Sequence, residues 1–132
     1  MTLTPNTQHP HGLSDNAYNN LFTTDKPIVF NYHGYPSLIR ELTYERFNRN
    51  LDVHGYMEEG KISTPFDMRV QNKVDRFNIV KAVLDKLPKT KKTEALYELM
   101  EKYLAEHHAH IRKHGTDMPL VQNWQWGNNE KI

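Results

Sequence analysis

Residues 26–44 read KPIVFNYHGYPSLIRELTY, and their punctuation sets the architecture. Ile28-Val29-Phe30-Asn31-Tyr32 is a β-branched and aromatic run between Pro27 and Gly34, too short for a helix, which predicts a buried strand. Pro36 suits a first helical position, and Leu38, Ile39 and Leu42 fall on one face of the helix that follows. Strand, tight turn and helix in succession is the rhythm of an α/β sheet. Downstream, Leu51-Asp52-Val53-His54-Gly55-Tyr56-Met57 alternates as a second strand would, and Glu58-Glu59-Gly60 closes it.

Upstream, residues 1–12 hold two prolines and a glycine and read as an arm, or as the stub of a further strand at Met1-Thr2-Leu3-Thr4. Ser14 predicts an N-cap for a short helix to Phe22, with Asp15 complementing the helix dipole and Lys26-Pro27 ending the segment. Towards the C-terminus, Thr64-Pro65 opens a short helix to about Asn72. Asp75 caps another in which Phe77, Val80, Val83, Leu84 and Leu87 recur at helical spacing until Pro88. The longest helix runs from about Lys92 to His114, with Leu96, Leu99, Met100, Tyr103, Leu104, His107 and Ile111 as its apolar stripe and Gly115 just past its end. Residues 116–132, with Trp124 and Trp126, form an aperiodic aromatic tail.

Composition limits the function classes. The chain has 132 residues, which allows one domain over 1–132. Leu, Ile, Val and Phe supply 30 of those residues, a little above the share of roughly 20% below which chains tend to stay disordered, so the expected core is thin. Seventeen basic residues against 16 acidic ones leave a net charge of +1, so the field that phosphate-backbone binding needs is missing and nucleic acid is not the expected partner. Cysteine is absent, which removes disulfides, thiol catalysis and thiolate metal sites and fits the cytoplasm. No leader-like or membrane-length apolar run occurs, so no membrane partner is expected.

Two convincing strands make only a marginal sheet, since about three are normally needed for independent stability. The expected fold is therefore α/β with an incomplete sheet, and the sequence reads as a piece of a longer polypeptide.

The segments HPHGLSD (9–15), LFTTDKPIVFNYHGYPSLIRELTY (21–44), NLDVHGYMEEGKISTPFDMRVQNKVDRFNIV (50–80) and DMPLVQNWQWG (117–127) resemble the C-terminal domain of the D-xylulose 5-phosphate/fructose 6-phosphate phosphoketolases. FNYHGYP, HGYMEEG, TPFDMRVQN and NWQWG are unusual words in fixed order that amphipathic patterning alone would not generate. The resemblance implies a three-layer αβα, transketolase C-terminal-like unit whose early strands lie upstream. It also implies a parent enzyme, an aldehyde-lyase, that uses thiamine diphosphate and Mg2+ to cleave a ketose phosphate with inorganic phosphate to acetyl phosphate and an aldose phosphate. In such enzymes the cofactor and most catalytic groups lie in upstream domains of a dimer. Accordingly no catalytic residue is carried over to this chain, no cofactor is expected to bind it, and its expected role is structural, with upstream domains of the parent and a homo-oligomer as partners. A stand-alone small-ligand or partner-binding module is the alternative.

Four further features carry candidate chemistry or contacts. His33-Gly34-Tyr35 and His54-Gly55-Tyr56 each lie near the end of an expected strand, and in open α/β sheets ligands bind outside the carboxyl ends of strands. His33, Tyr35 and Arg40, with His54 and Tyr56, are thus candidates to hold a phosphate-bearing effector or to face a neighbouring domain, Arg40 supplying charge-assisted donors. The plain alternative is that the glycines permit turns and the rings pack. His107, His110 and His114, spaced by three and four on one helix flank, have chelating geometry, yet His107 also belongs to the apolar stripe and no metal site is assigned. Glu58-Glu59 and Lys61, with Asp67 and Arg69 farther on, are a candidate polar surface facing the rest of the parent enzyme, a solvated turn being the preferred reading. Trp124 and Trp126 are candidate interface anchors.

Overall fold

The structure is a computed structural model that describes residues 2–57 and 62–125. It consists of mixed helices and two small parallel sheets, an α/β arrangement with an incomplete sheet, divided into two compact units, Met1–Glu58 and Glu59–Ile132. No helix among the described residues is long and apolar enough to cross a membrane.

In the first unit, β1 (Thr2–Pro5) runs parallel to β2 (Gly12–Leu13), with an irregular register between Thr2 and Pro5. The two strands approach so closely that a Cβ on Gly12 would lie 2.5 Å from the Pro5 carbonyl oxygen, which glycine alone avoids. α1 (Asp15–Phe22) starts at Ser14, whose Oγ accepts from the Ala17 amide at 3.2 Å. β3 (Ile28–Asn31) and β4 (Leu51–His54) pair in parallel, Ile28 opposite Leu51 through Asn31 opposite His54. A parallel pair needs a crossover, and α2 (Pro36–Thr43) lies on that connection, with proline in its first turn. Both strands are shorter than the apolar runs expected for them: β3 ends at Asn31 and β4 at His54. Leu13, Tyr18, Ile39 and Val53 are this unit's buried apolar residues.

The second unit is helical. α3 (Pro65–Gln71) is capped by Thr64, whose Oγ1 accepts from the Asp67 amide at 3.1 Å. α4 (Arg76–Leu84) is capped by Asp75, which accepts from the Phe77 and Asn78 amides. α5 (Lys91–His114) begins in a reciprocal capping box between Thr90 and Thr93 and ends at Gly115, whose φ of 67° is left-handed. Pro119 opens a single turn, α6 (Pro119–Gln122), where an aperiodic tail is expected. Val70, Phe77, Met100, Leu104 and Met118 form the core, with Phe66, Val80, Leu96, Leu99, Tyr103 and Val121 packed around it. Each large apolar side chain so buried contributes about 1.5–3 kcal/mol. Val83 and Leu87, expected on the α4 stripe, are exposed. Val83 lies about 120° around the helix from Phe77 at 100° per residue, and Leu87 falls beyond the last turn.

Candidate functional site

The carboxyl end of the β3–β4 pair brings the two His-Gly-Tyr turns together. The Tyr56 amide donates to the Gly34 carbonyl at 2.9 Å, and the Tyr32 amide donates to the His54 carbonyl at 2.9 Å. A Cβ on Gly55 would collide with the Gly34 carbonyl and reach within 2.9 Å of Pro36, so glycine is required by the close approach of the two turns. Above this backbone knot, the His33 ring stands edge-on to Tyr56 with centroids 4.9 Å apart.

His33 and Tyr35 are exposed there, and Arg40 is exposed in the last turn of α2, with no contact joining it to His33 or Tyr56 among the described residues. His54 turns back along its strand. Its Nε2 lies 3.4 Å from Asp52 Oδ1, and this buried nitrogen has no hydrogen-bond partner among the described residues. Of the six candidates, the structure joins His33, Gly34 and Tyr56 directly, with Tyr35 adjoining them at the α2 N-cap.

Sequence reading missed the first unit's most buried polar side chain. Arg46 is 1% exposed. Its Nη1 donates to Asp15 at 2.8 Å, its Nε and Nη2 to the Leu3 carbonyl at 3.0 and 2.8 Å, and Nη2 also to the Leu13 carbonyl at 3.0 Å. The guanidinium carbon lies 4.3 Å from the centre of the Tyr18 ring, and burial raises the Tyr18 pKa against the opposing pull of Arg46. Asn48 ties the segment before β3, donating to the Phe22 and Lys26 carbonyls at 3.1 and 2.9 Å.

In the second unit, Asp67 corrects its reading as solvated surface: it is 4% exposed. As the third residue of α3 it points inward, where Ser63 Oγ and Gln71 Nε2 donate to its Oδ2, the latter at 2.6 Å. His107 Nε2 lies 3.2 Å from its Oδ1. Burial alone would raise the Asp67 carboxyl, but these hydrogen bonds and the His107 ring outweigh it and hold the pKa below the usual carboxylate value. An ionised carboxylate only accepts, so Nε2 carries the proton in this contact. His107 Nδ1 is then buried with no hydrogen-bond partner among the described residues, and Phe66 stands edge-on to the ring at 5.2 Å.

His107, His110 and His114, the spaced trio among the four histidines of α5, do not converge. His107 is committed to Asp67, while the His110 and His114 rings face each other with centroids 4.5 Å apart. Trp124 is half exposed and lies 4.8 Å from the Arg76 guanidinium, which also donates to the Leu120 carbonyl at 3.1 Å. Trp126, Glu58, Glu59 and Lys61 lie outside the described residues.

Among the described residues, the buried carboxylates Asp67 and Asp75 are not free to take up Mg2+. Mg2+ seeks carboxylate oxygens in octahedral array, but both oxygens of Asp67 are engaged by side chains, and those of Asp75 cap α4 and bind Asn78. Among the described residues, no group of three or more His, Asp or Glu could hold a metal ion. The sequence also lacks a Gly-Asp-Gly diphosphate motif.

A family model described as the XFP C-terminal domain matches residues 1–126. Over 96% of its length the chain is 60% identical to a probable phosphoketolase of Clostridium acetobutylicum. Over the same share it is 52% identical to probable phosphoketolase 2 of Rhizobium meliloti and to a probable phosphoketolase of Nitrosomonas europaea. In each comparison the chain spans 16% of the relative's length. A match running through both compact units, at that identity, identifies the chain as a member of the XFP C-terminal domain family.

Proposed function

We propose that the chain serves as the C-terminal domain of a cytoplasmic phosphoketolase and that its contribution is structural, completing the subunit and supporting a homo-oligomer. The parent reaction on this reading is phosphorolytic cleavage of xylulose 5-phosphate or fructose 6-phosphate to acetyl phosphate and an aldose phosphate, with thiamine diphosphate and Mg2+ held by upstream domains. The carrying observation is 60% identity over 96% of this chain against 16% of a probable phosphoketolase. Two buried polar side chains support the structural part: Arg46 and Asp67 direct their hydrogen bonds to neighbouring backbone and side chains within their own units.

Residues 1–132 on this reading act as one domain of the parent, part of a three-layer αβα unit. The exposed face of the His-Gly-Tyr knot, with His33, Tyr35 and Tyr56, and the half-exposed Trp124 are the surfaces that meet upstream domains on this reading. A hydroxamate assay for acetyl phosphate tests the assignment. The purified chain, given thiamine diphosphate, Mg2+, phosphate and xylulose 5-phosphate, is expected to form none, and turnover by the chain alone would overturn it.

A further inference from the structure

The geometry points to a two-point chelate for a borderline-soft divalent cation, Zn2+, Ni2+ or Cu2+, made by His110 and His114 near the end of α5. Neither the structural role nor the parent chemistry uses these residues. They stand one helical turn apart on a continuous 24-residue helix, and residues four apart share a face. Their ring centroids are 4.5 Å apart with planes inclined by 37°, close enough for one nitrogen of each ring to reach a single cation at ordinary metal–imidazole distances. His-x-x-x-His on one helix face supplies two ligands in known zinc sites, and neutral imidazole suits Zn2+, Ni2+ and Cu2+.

The structure separates this pair from the other histidines. His107 is buried and bound to Asp67, which removes the third member of the sequence cluster and leaves the remaining coordination positions to water or to a donor from a neighbouring molecule. His9 and His11 also lie near each other, centroids 5.7 Å apart, but His9 Nδ1 already accepts the His11 amide at 3.0 Å. The negative end of the α5 dipole favours a cation at His114, while Arg112 and Lys113 in the same turn oppose it. The site is therefore weaker than a closed three- or four-ligand centre. It also differs in kind from an Mg2+ site, because a hard cation prefers oxygen.

The test is NMR of the full chain titrated with NiCl2, whose paramagnetism broadens nearby ring protons, with ZnCl2 and MgCl2 as parallel titrations. Ni2+ is expected to broaden His110 and His114 first, Zn2+ to shift the same two, and Mg2+ to leave them unchanged. His114→Gln should abolish selective broadening at His110, whereas a His9→Gln/His11→Gln double variant should retain the parent response. Both changes are on exposed positions, and the helical circular dichroism signal checks that α5 persists. Equal broadening of all exposed histidines, an unaltered response in His114→Gln, or no response to Ni2+ would each overturn the proposal.

Discussion

Arg46 separates a buried cation's worth from that of its ionic partner. The guanidinium is 1% exposed whereas the Asp15 carboxylate it touches is 83% exposed, so most of its value lies in satisfying the Leu3 and Leu13 carbonyls. Arg46→Ala leaves those acceptors and a cavity behind and is expected to cost about 3–5 kcal/mol in chemical denaturation. Asp15→Asn, on the wet side of the pair, should cost at most about 1 kcal/mol. Equal losses would show that the ion pair dominates. Asp67 makes a pH prediction. Its folded pKa is lowered, so its contribution is complete above the unfolded carboxyl value of about 3.9 and is lost as pH falls through the lower folded value. Asp67→Asn should flatten the acid limb of a stability–pH profile below about pH 4. An unchanged limb would remove Asp67 as its source. Neither residue was legible beforehand. Arg46 sits in ERFNRN (45–50), where no periodicity marks an inward position, and Asp67 in a helix's first turn is ordinarily read as a solvated charge; the partners that bury them are 43 and 40 residues away.

At the scale of elements, caps and turns were legible because their chemistry is local. Ser14, Thr64 and Asp75 all cap as their side-chain oxygens dictate, and β3, β4 and the αL glycine after α5 lie where β-branched runs and Gly115 place them. The Thr90–Thr93 box escaped notice because threonine replaces the usual acidic partner. The packing of the two His-Gly-Tyr turns was legible only as a repeated word; that they touch is a consequence of parallel register. Their glycines make a discriminating pair. A Cβ on Gly55 meets fixed backbone at Gly34, while one on Gly34 meets the Tyr32 ring, a side chain that can move. Gly55→Ala is therefore expected to lower stability by about 1–3 kcal/mol, as overpacking does, and Gly34→Ala by clearly less, both measured by thermal unfolding. The reverse order would contradict the described contact between the turns.

For the whole molecule, the sheet is the weak point. Among the described residues β3 and β4 form a two-stranded sheet, which has an edge on each side and is marginal alone. The isolated chain is accordingly expected to self-associate in sedimentation velocity as its concentration rises. A monomer at every concentration would argue that the edges are covered within the chain. Composition had suggested a thin core and the strand count an incomplete sheet, both visible in the sequence; how few residues would share each core was not, because it depends on how the chain divides. The central claim is that these residues supply structure to a phosphoketolase whose reacting groups lie elsewhere. Its most direct test is acetyl phosphate formation by the Clostridium acetobutylicum relative with its matching C-terminal residues deleted, against the same truncated protein fused to this chain. The account predicts that truncation abolishes activity and assembly together and that fusion restores both, with a KM for xylulose 5-phosphate equal to that of the intact relative. Full activity in the truncated protein, or a restored assembly whose KM is set by the grafted residues, would contradict it.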